Sequence, residues 1–279
     1  MKVLPFEIPK TKNLGLIYQE DRGEFFYDKL HQHEEIQLCY VVKGEGTLIV
    51  GDSISEYKSN DIIAIDGNQA HLFKSDTSEI KESFMISLFF TRSSFGESFF
   101  DLDDFKELNA FFNNVTNSFK VLNNKNKLEK YFLKLKKSRE LEKFIVFIKM
   151  LRLISYSEIK SLSSFIYEKK YTDNEGKRMR DVMDYTLNNF SKKIELDEVA
   201  DVANMTSNAF CRYFKQRTNK TFFQFLLEIR LEHACRLLKK NKDLSIAEVS
   251  DLSGFRNISN FNRKFKEYKQ TTPTSFKRS

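Results

Sequence analysis

The sequence predicts an α+β, multidomain chain in which a β-barrel, a helical segment and an all-α domain follow one another. Three observations carry this. Short apolar runs bounded by turn residues fill roughly the first 95 positions. After about residue 100 the apolar residues step by three and four instead. From Lys177 onward the chain resembles itself at an offset of 50.

In the β region, Ile36-Gln37-Leu38-Cys39-Tyr40-Val41-Val42 is an apolar run that stops at Lys43-Gly44-Glu45-Gly46. Thr47-Leu48-Ile49-Val50 follows and is closed by Gly51-Asp52, a hairpin-type break. Asp61-Ile62-Ile63-Ala64-Ile65 turns at Asp66-Gly67-Asn68, and Phe84 to Phe90 completes the set. Short strands at this spacing read as a sandwich or barrel.

In the helical segment Phe105, Leu108, Phe111 and Phe112 share one face, as do Leu128, Tyr131, Phe132 and Leu135. Phe144 to Ile154 is apolar almost all round, which predicts either deep packing or half of a subunit interface. Residues 161–176 are polar and read as a linker.

The repeat is the most specific feature. Glu198-Val199-Ala200-Asp201-Val202-Ala203 parallels Glu248-Val249-Ser250-Asp251-Leu252-Ser253, and Phe210, Arg212, Phe214 and Lys215 parallel Phe261, Arg263, Phe265 and Lys266. Each copy is a short amphipathic helix, a small or polar turn and a second helix, the pattern of a helix-turn-helix unit. Phe210 and Phe214, like Phe261 and Phe265, anchor the second helix. Ser207, Asn208, Cys211, Arg212 and Lys215 then project together from one copy, and Ser259, Asn260, Asn262, Arg263 and Lys266 from the other. Arg and Asn pair with purine edges, while Lys and Ser hold phosphates. Helix starts at Ser207 and Ser259 would add amide dipoles.

Charge agrees with a polyanion partner. The 279 residues carry a formal charge of +7, yet residues 177–279 hold 21 Lys and Arg against 12 Asp and Glu. No apolar run reaches the ~18 residues of a membrane span. The N-terminus lacks the apolar core of a secretory signal. Three cysteines without a C-x-x-C pair disfavour a disulfide framework and predict a reducing, cytoplasmic setting.

The C-terminal hundred residues resemble the AraC/XylS family of bacterial transcription regulators. The resemblance rests on Arg230-Leu231, Ala234, Leu237-Leu238, Ser245-Ile246, Glu248-Val249, Gly254-Phe255, Ser259, Phe261, Arg263, Phe265-Lys266, Thr272-Pro273 and Phe276. It implies two helix-turn-helix units flanking a central helix at about Phe222 to Lys239, with recognition helices in successive major grooves. Its base-contact positions fall on Asn208, Cys211 and Arg212, and on Ser259, Asn262 and Arg263. Two departures stand out. Asn219 and Gln270 occupy places where the family usually has Gly, and Cys211 is an unusual base reader, which reads instead as a passive small side chain. The loop at Gln270 is therefore expected to be strained or differently shaped.

The pattern His31-x-His33-x-x-x-Gln37 followed by Gly44, and then Asn60-Asp61, Ile65 and His71, resembles the two motifs of a cupin barrel. Imidazoles two apart on a strand point the same way. Gln37 stands where metal-binding cupins have Glu, giving a neutral, weaker ligand set. The resemblance implies a small-molecule effector pocket at His31, His33, Gln37 and His71 with no cofactor; a metal on those four residues is the alternative.

The reading is thus a cupin-like effector-sensing barrel (1–95), a helical dimerisation segment (96–160), a linker (161–176) and a double helix-turn-helix domain (177–279). It describes a homodimeric, effector-controlled transcription regulator, not an enzyme, whose partners are promoter DNA and a small molecule. The resemblance adds RNA polymerase contact as a route to activation. The rival is a metal-dependent cupin enzyme or metal sensor with a DNA-binding tail; no nucleophile elbow, P-loop or dinucleotide fingerprint is present.

Overall fold

The computed structural model describes residues 5–6, 15–78, 80–164 and 171–278. The chain divides into two compact units, Met1–Gly176 and Lys177–Ser279.

The first unit begins with strands β1 (Ile17–Gly23), β2 (Ile36–Lys43), β3 (Gly46–Val50), β4 (Ser53–Tyr57), β5 (Ile62–Ile65), β6 (His71–Ser75) and β7 (Ser83–Phe90). Short 3₁₀ turns lead to α1 (Asn109–Val115), β8 (Phe119–Val121), α2 (Lys125–Leu135), α3 (Glu140–Ser155) and β9 (Ile159–Ser161). The strands form a six-stranded antiparallel sheet, β1-β7-β2-β5-β8-β9, and a three-stranded one, β4-β3-β6. The expected barrel is therefore not closed.

Period two explains why β2, β5 and β7 are nearly continuous apolar runs. Cys39, Val41, Ile63, Ile65 and Met85 point into a core shared with Leu48, Val50, Tyr57 and Phe73 of the small sheet. Their neighbours Leu38, Tyr40, Ile62, Ala64, Ile86, Leu88 and Phe90 point the other way, into a core with Phe111, Phe132, Phe147 and Met150 of the helices. A strand buried on both faces has no polar alternation to show.

This packing corrects two expectations. Residues 96–160 are not a purely helical segment: β8 pairs with β5, and β9 with β8, so the region extends the six-stranded sheet. Within Phe144 to Ile154, the buried Val146, Phe147, Met150, Leu151 and Ile154 fill that core, the deep packing that was one of the two alternatives for this stretch. The uncovered apolar residues of α3 lie near its start, Leu141 at 72% and Ile145 at 39% exposure. The 161–176 linker is also shorter than expected. Ser161 ends β9, Leu162 and Ser163 are buried, and a helix is under way by Asp173. Positions 165–170 lie outside the described residues.

The second unit is helical: α4 (Asp173–Asn189, entering from the first unit), α5 (Leu196–Val202), α6 (Ser207–Thr218), α7 (Phe222–Lys240), α8 (Ile246–Leu252), α9 (Ile258–Lys269) and α10 (Pro273–Arg278). Pairs α5–α6 and α8–α9 are the two repeat copies, separated by the long α7. Capping boxes start α5 (Glu195, Glu198), α7 (Thr221, Gln224) and α8 (Ser245, Glu248), satisfying amides that helix starts leave open. The inter-helix turns place Asn204 (φ 52°) and Gly254 (φ 80°) at equivalent left-handed positions. A Cβ on Gly254 would lie 2.7 Å from the Phe190 carbonyl oxygen, so glycine is required there twice over.

Candidate nucleic-acid interface and histidine pocket

Phe210, Phe214, Phe261 and Phe265 are completely buried and key α6 and α9 into the core. At a period of 3.6 this turns Asn208, Cys211, Arg212 and Lys215 of α6 outward, all exposed, with Ser207 half-buried beside them. The corresponding residues of α9, Ser259, Asn260, Asn262, Arg263 and Lys266, are likewise all exposed. Each predicted set therefore lies on one solvent-facing helix side.

Local bonds set the helix starts. Thr206 caps α6 by accepting from the Ala209 amide. Helix α9 starts at Ile258, one residue before the expected Ser259, because Asn257 caps it, accepting from the amides of Ser259 (2.8 Å) and Asn260 (3.1 Å). Ser207 Oγ donates to Asp197, tying α6 to α5. At the far end of α9, Glu232 of α7 accepts from Lys269 Nζ (2.7 Å) and the Tyr268 hydroxyl (3.3 Å). Burial and then the Glu232 charge push the Tyr268 phenol well above its ordinary range.

One residue that the sequence reading missed belongs to this surface. Glu267, four positions after Arg263, accepts from Arg263 Nη1 (2.8 Å) and Lys264 Nζ (2.8 Å). The hydrogen bond from Lys264, then that from Arg263, hold its carboxyl below the usual carboxylate range against slight desolvation. Arg263 Nη2 donates to Asn260 Oδ1 at 2.8 Å. The i, i+4 spacing of Arg and Glu was the available signal.

In the first unit His31 (8% exposed), His33 (2%), Gln37 (6%) and His71 (0%) are buried together and line one cavity of about 150 Å³. The backbone of His31 bridges that of His71, which seats the rings with centroids 4.3 Å apart. His33 packs 5.0 Å from His71. Phe26, Phe73 and Phe89 supply apolar wall, and Asp21 and Gln19 of β1 complete the lining. Asp21 escaped the sequence reading because β1, Ile-Tyr-Gln-Glu-Asp-Arg-Gly, has no apolar pattern.

Each Nδ1 faces a backbone carbonyl: His31 that of Lys29 (2.9 Å), His33 that of Glu35 (2.7 Å) and His71 that of Gln69 (2.8 Å). A carbonyl only accepts, so Nδ1 carries the proton in all three rings; neutral His31 and His71 then have Nε2 as their acceptor or ligand atom, whereas His33 Nε2 meets an acceptor of its own, Gln37 Oε1. One donor nitrogen from each ring falls within 4.8 Å of the others. Gln37 Oε1 lies 3.3 Å from His33 Nε2, while its amide nitrogen donates to Ser87 Oγ at 3.1 Å. Carbonyl-anchored imidazoles of this kind fit a transition-metal ion, since the same second bond orients metal-ligating histidines. The cavity is also below the ~300–1,000 Å³ typical of drug-sized ligands.

Among the described residues no helix is long and apolar enough to cross a membrane. A helix-turn-helix domain family matches residues 199–279, and a cupin domain family matches residues 21–87. The HTH-type transcriptional regulator YdeC of Bacillus subtilis is 30% identical over 101 residues, 36% of this chain and 34% of that protein. The virulence regulon transcriptional activator VirF of Shigella flexneri is 36% identical over 88 residues, 32% of this chain and 33% of that protein. The chain thus spans about a third of the length of these curated relatives. The crystal structure of ToxT from Vibrio cholerae O395 aligns over 94% of this chain and 97% of its own, at 12% identity and a TM-score of 0.37.

Proposed function

We propose that this chain, which carries a cupin domain and an AraC-type helix-turn-helix domain, is a transcription regulator that binds promoter DNA through α6 and α9. Its first unit senses a small effector in the histidine cavity. The observation that carries the reading is the duplicated exposed face: Asn208, Arg212 and Lys215 on one helix, Asn260, Arg263 and Lys266 on the other. Regulators among its relatives, VirF being called an activator, favour activation over an enzymatic role. Contact with RNA polymerase and a homodimeric state belong to the same proposal.

Selection of random duplex DNA by the full chain tests it. The expected result is a motif of two short blocks about one helical turn apart. Arg212→Ala should erase one block and Arg263→Ala the other. Enrichment of no motif would overturn the reading.

A second reading of the sensor concerns the ligand alone. The three carbonyl-anchored imidazoles favour a divalent transition metal as the species sensed, held by His31, His33 and His71 with Gln37 beside them. Such an ion would act as a charge that draws the rings together. Titration with cobalt(II), followed by its visible absorption, separates the two: one equivalent bound, and lost in His33→Ala, supports metal; no bound cobalt leaves an organic effector.

A further inference from the structure

We infer that the histidine cavity is coupled to residues 162–164, the stretch that follows β9, through Gln69, Ser118 and Asp52. The inference rests on the cavity being the sensing site only for its biological purpose; the coupling itself is a property of the fold.

Two tracks join the places. In the first, His71 Nδ1 donates to the Gln69 carbonyl at 2.8 Å, and the Gln69 side-chain oxygen accepts from Ser118 Oγ at 2.8 Å. Ser118 Oγ also accepts from the Asp66 amide (3.0 Å), and the Ser118 carbonyl accepts from the Leu162 amide (2.8 Å). Ser118 is fully buried with φ at 44°, a left-handed conformation that serine adopts only where its surroundings impose it. In the second track, Val50 stands opposite His71 in the β3–β6 pair, and the Gly51 amide donates to the Ala70 carbonyl (3.0 Å). The next residue, Asp52, is buried and gathers the segment. It accepts from Ser163 Oγ (2.8 Å), the Ser164 amide (3.2 Å) and Ser164 Oγ (2.9 Å).

Packing runs alongside. Leu162, 4% exposed, belongs to the same apolar cluster as Phe26, Phe73 and Met85, three residues of the cavity wall. Residues 69–71 therefore touch the ligand space on one side and both anchors of 162–164 on the other. A ligand that turns the His71 ring alters the bond to Gln69 and, through it, the hold on Ser118. Nothing about sheet formation requires a buried carboxylate at the β3–β4 turn to grip a segment more than a hundred residues away.

Hydrogen–deuterium exchange of the full chain, read by mass spectrometry, tests the coupling without any ligand. His71→Gln places an amide where Nε2 was and removes the Nδ1 donor, whereas His71→Asn keeps a donor at the Nδ1 position. The expected result is amide exchange at 162–164 faster by roughly fivefold in His71→Gln, the loss of about one hydrogen bond, and near wild type in His71→Asn. In a Ser118→Ala background the two His71 variants should no longer differ. Asp52→Asn serves as the positive control for loosening 162–164. Equal exchange at 162–164 in both His71 variants, with Asp52→Asn still raising it, would overturn the coupling. Exchange in α7 to α9 monitors the second unit, and DNA selection, which tests the regulator reading, is scored separately.

Discussion

Arg263 Nη1 lies 2.8 Å from Glu267 Oε1, one turn along α9, so the arginine assigned to base reading is held by an acid before DNA arrives. Both side chains are at least half exposed, and such pairs contribute little to folding. Their effect falls on binding. If Arg263 reads a base as proposed, it would have to exchange Glu267 for the base edge, and the carboxylate would repel phosphate. Glu267→Gln should raise DNA affinity about two- to fivefold at low salt, with a smaller gain at high salt. Arg263→Ala should lose about 1–3 kcal/mol of specific binding. Fluorescence anisotropy with a selected site measures both, and unchanged affinity in both variants would remove α9 from the interface.

Gln270 ends α9 at φ 56° and ψ 20°, almost the geometry of Asn219 at the end of α6, φ 53° and ψ 14°. The loop is therefore not reshaped by its unusual residue; glutamine is forced into the left-handed cap, and its side-chain amide donates to the Glu267 carbonyl at 2.8 Å. Gln270→Gly should stabilise the second unit by about 1 kcal/mol, and Asn219→Gly by less. Thermal melting of the full chain, with a second-unit probe, reads the difference.

Gly254→Ala combines a positive φ with a Cβ 2.7 Å from a carbonyl oxygen and 2.9 Å from Ser191 Cα. Arg230 makes the contact worse to relieve, since its Nε and Nη2 are committed to the Phe190 and Lys192 carbonyls. The variant should lose about 2 kcal/mol or more and weaken the α9 half-site before the α6 half-site. Footprints of equal weakness on both halves would contradict this.

Burial raises the Asp66 carboxyl from 3.8 to about 6, opposed by the Gly67 amide. A folded-state value above the unfolded one means the native state binds the proton more tightly. Stability is full below pH 4 as far as this group is concerned, and falls as pH climbs toward 6. Asp66→Asn should flatten that fall and stabilise the first unit at pH 7 by on the order of 2 kcal/mol. Urea unfolding at pH 4.5 and pH 7 checks the sign.

The second unit was legible because its signals are local. Helical period, paired phenylalanines and turn chemistry at Asn204 and Gly254 all act within a few residues. The first unit was legible only where a strand is buried on at least one side by apolar residues. β1 is polar, and β4 and β6 carry Ser, Glu, Lys and His among their apolar positions. β8 and β9 are three residues each and exist because β5 offers a free edge, which no short window contains. The histidine cluster could be placed from spacing and resemblance, but its carbonyl anchors depend on turns at Lys29, Glu35 and Gln69. Asp52 and Ser118 could not be found this way at all, because the partners that tie them to Gln69 and to 162–164 lie 44 to 112 positions distant.

The burial of Leu162 bears on how regulators of this architecture can exchange parts. A recombination event that joined this first unit to another C-terminal unit at residue 160 would leave an unfilled core site and a buried acid at Asp52 without its Ser163 and Ser164 donors. A junction after Ser164 would carry both with it. Chimeras cut at these two positions should thus differ sharply in expression and inducibility, and surviving natural shuffles would be expected to respect the later cut.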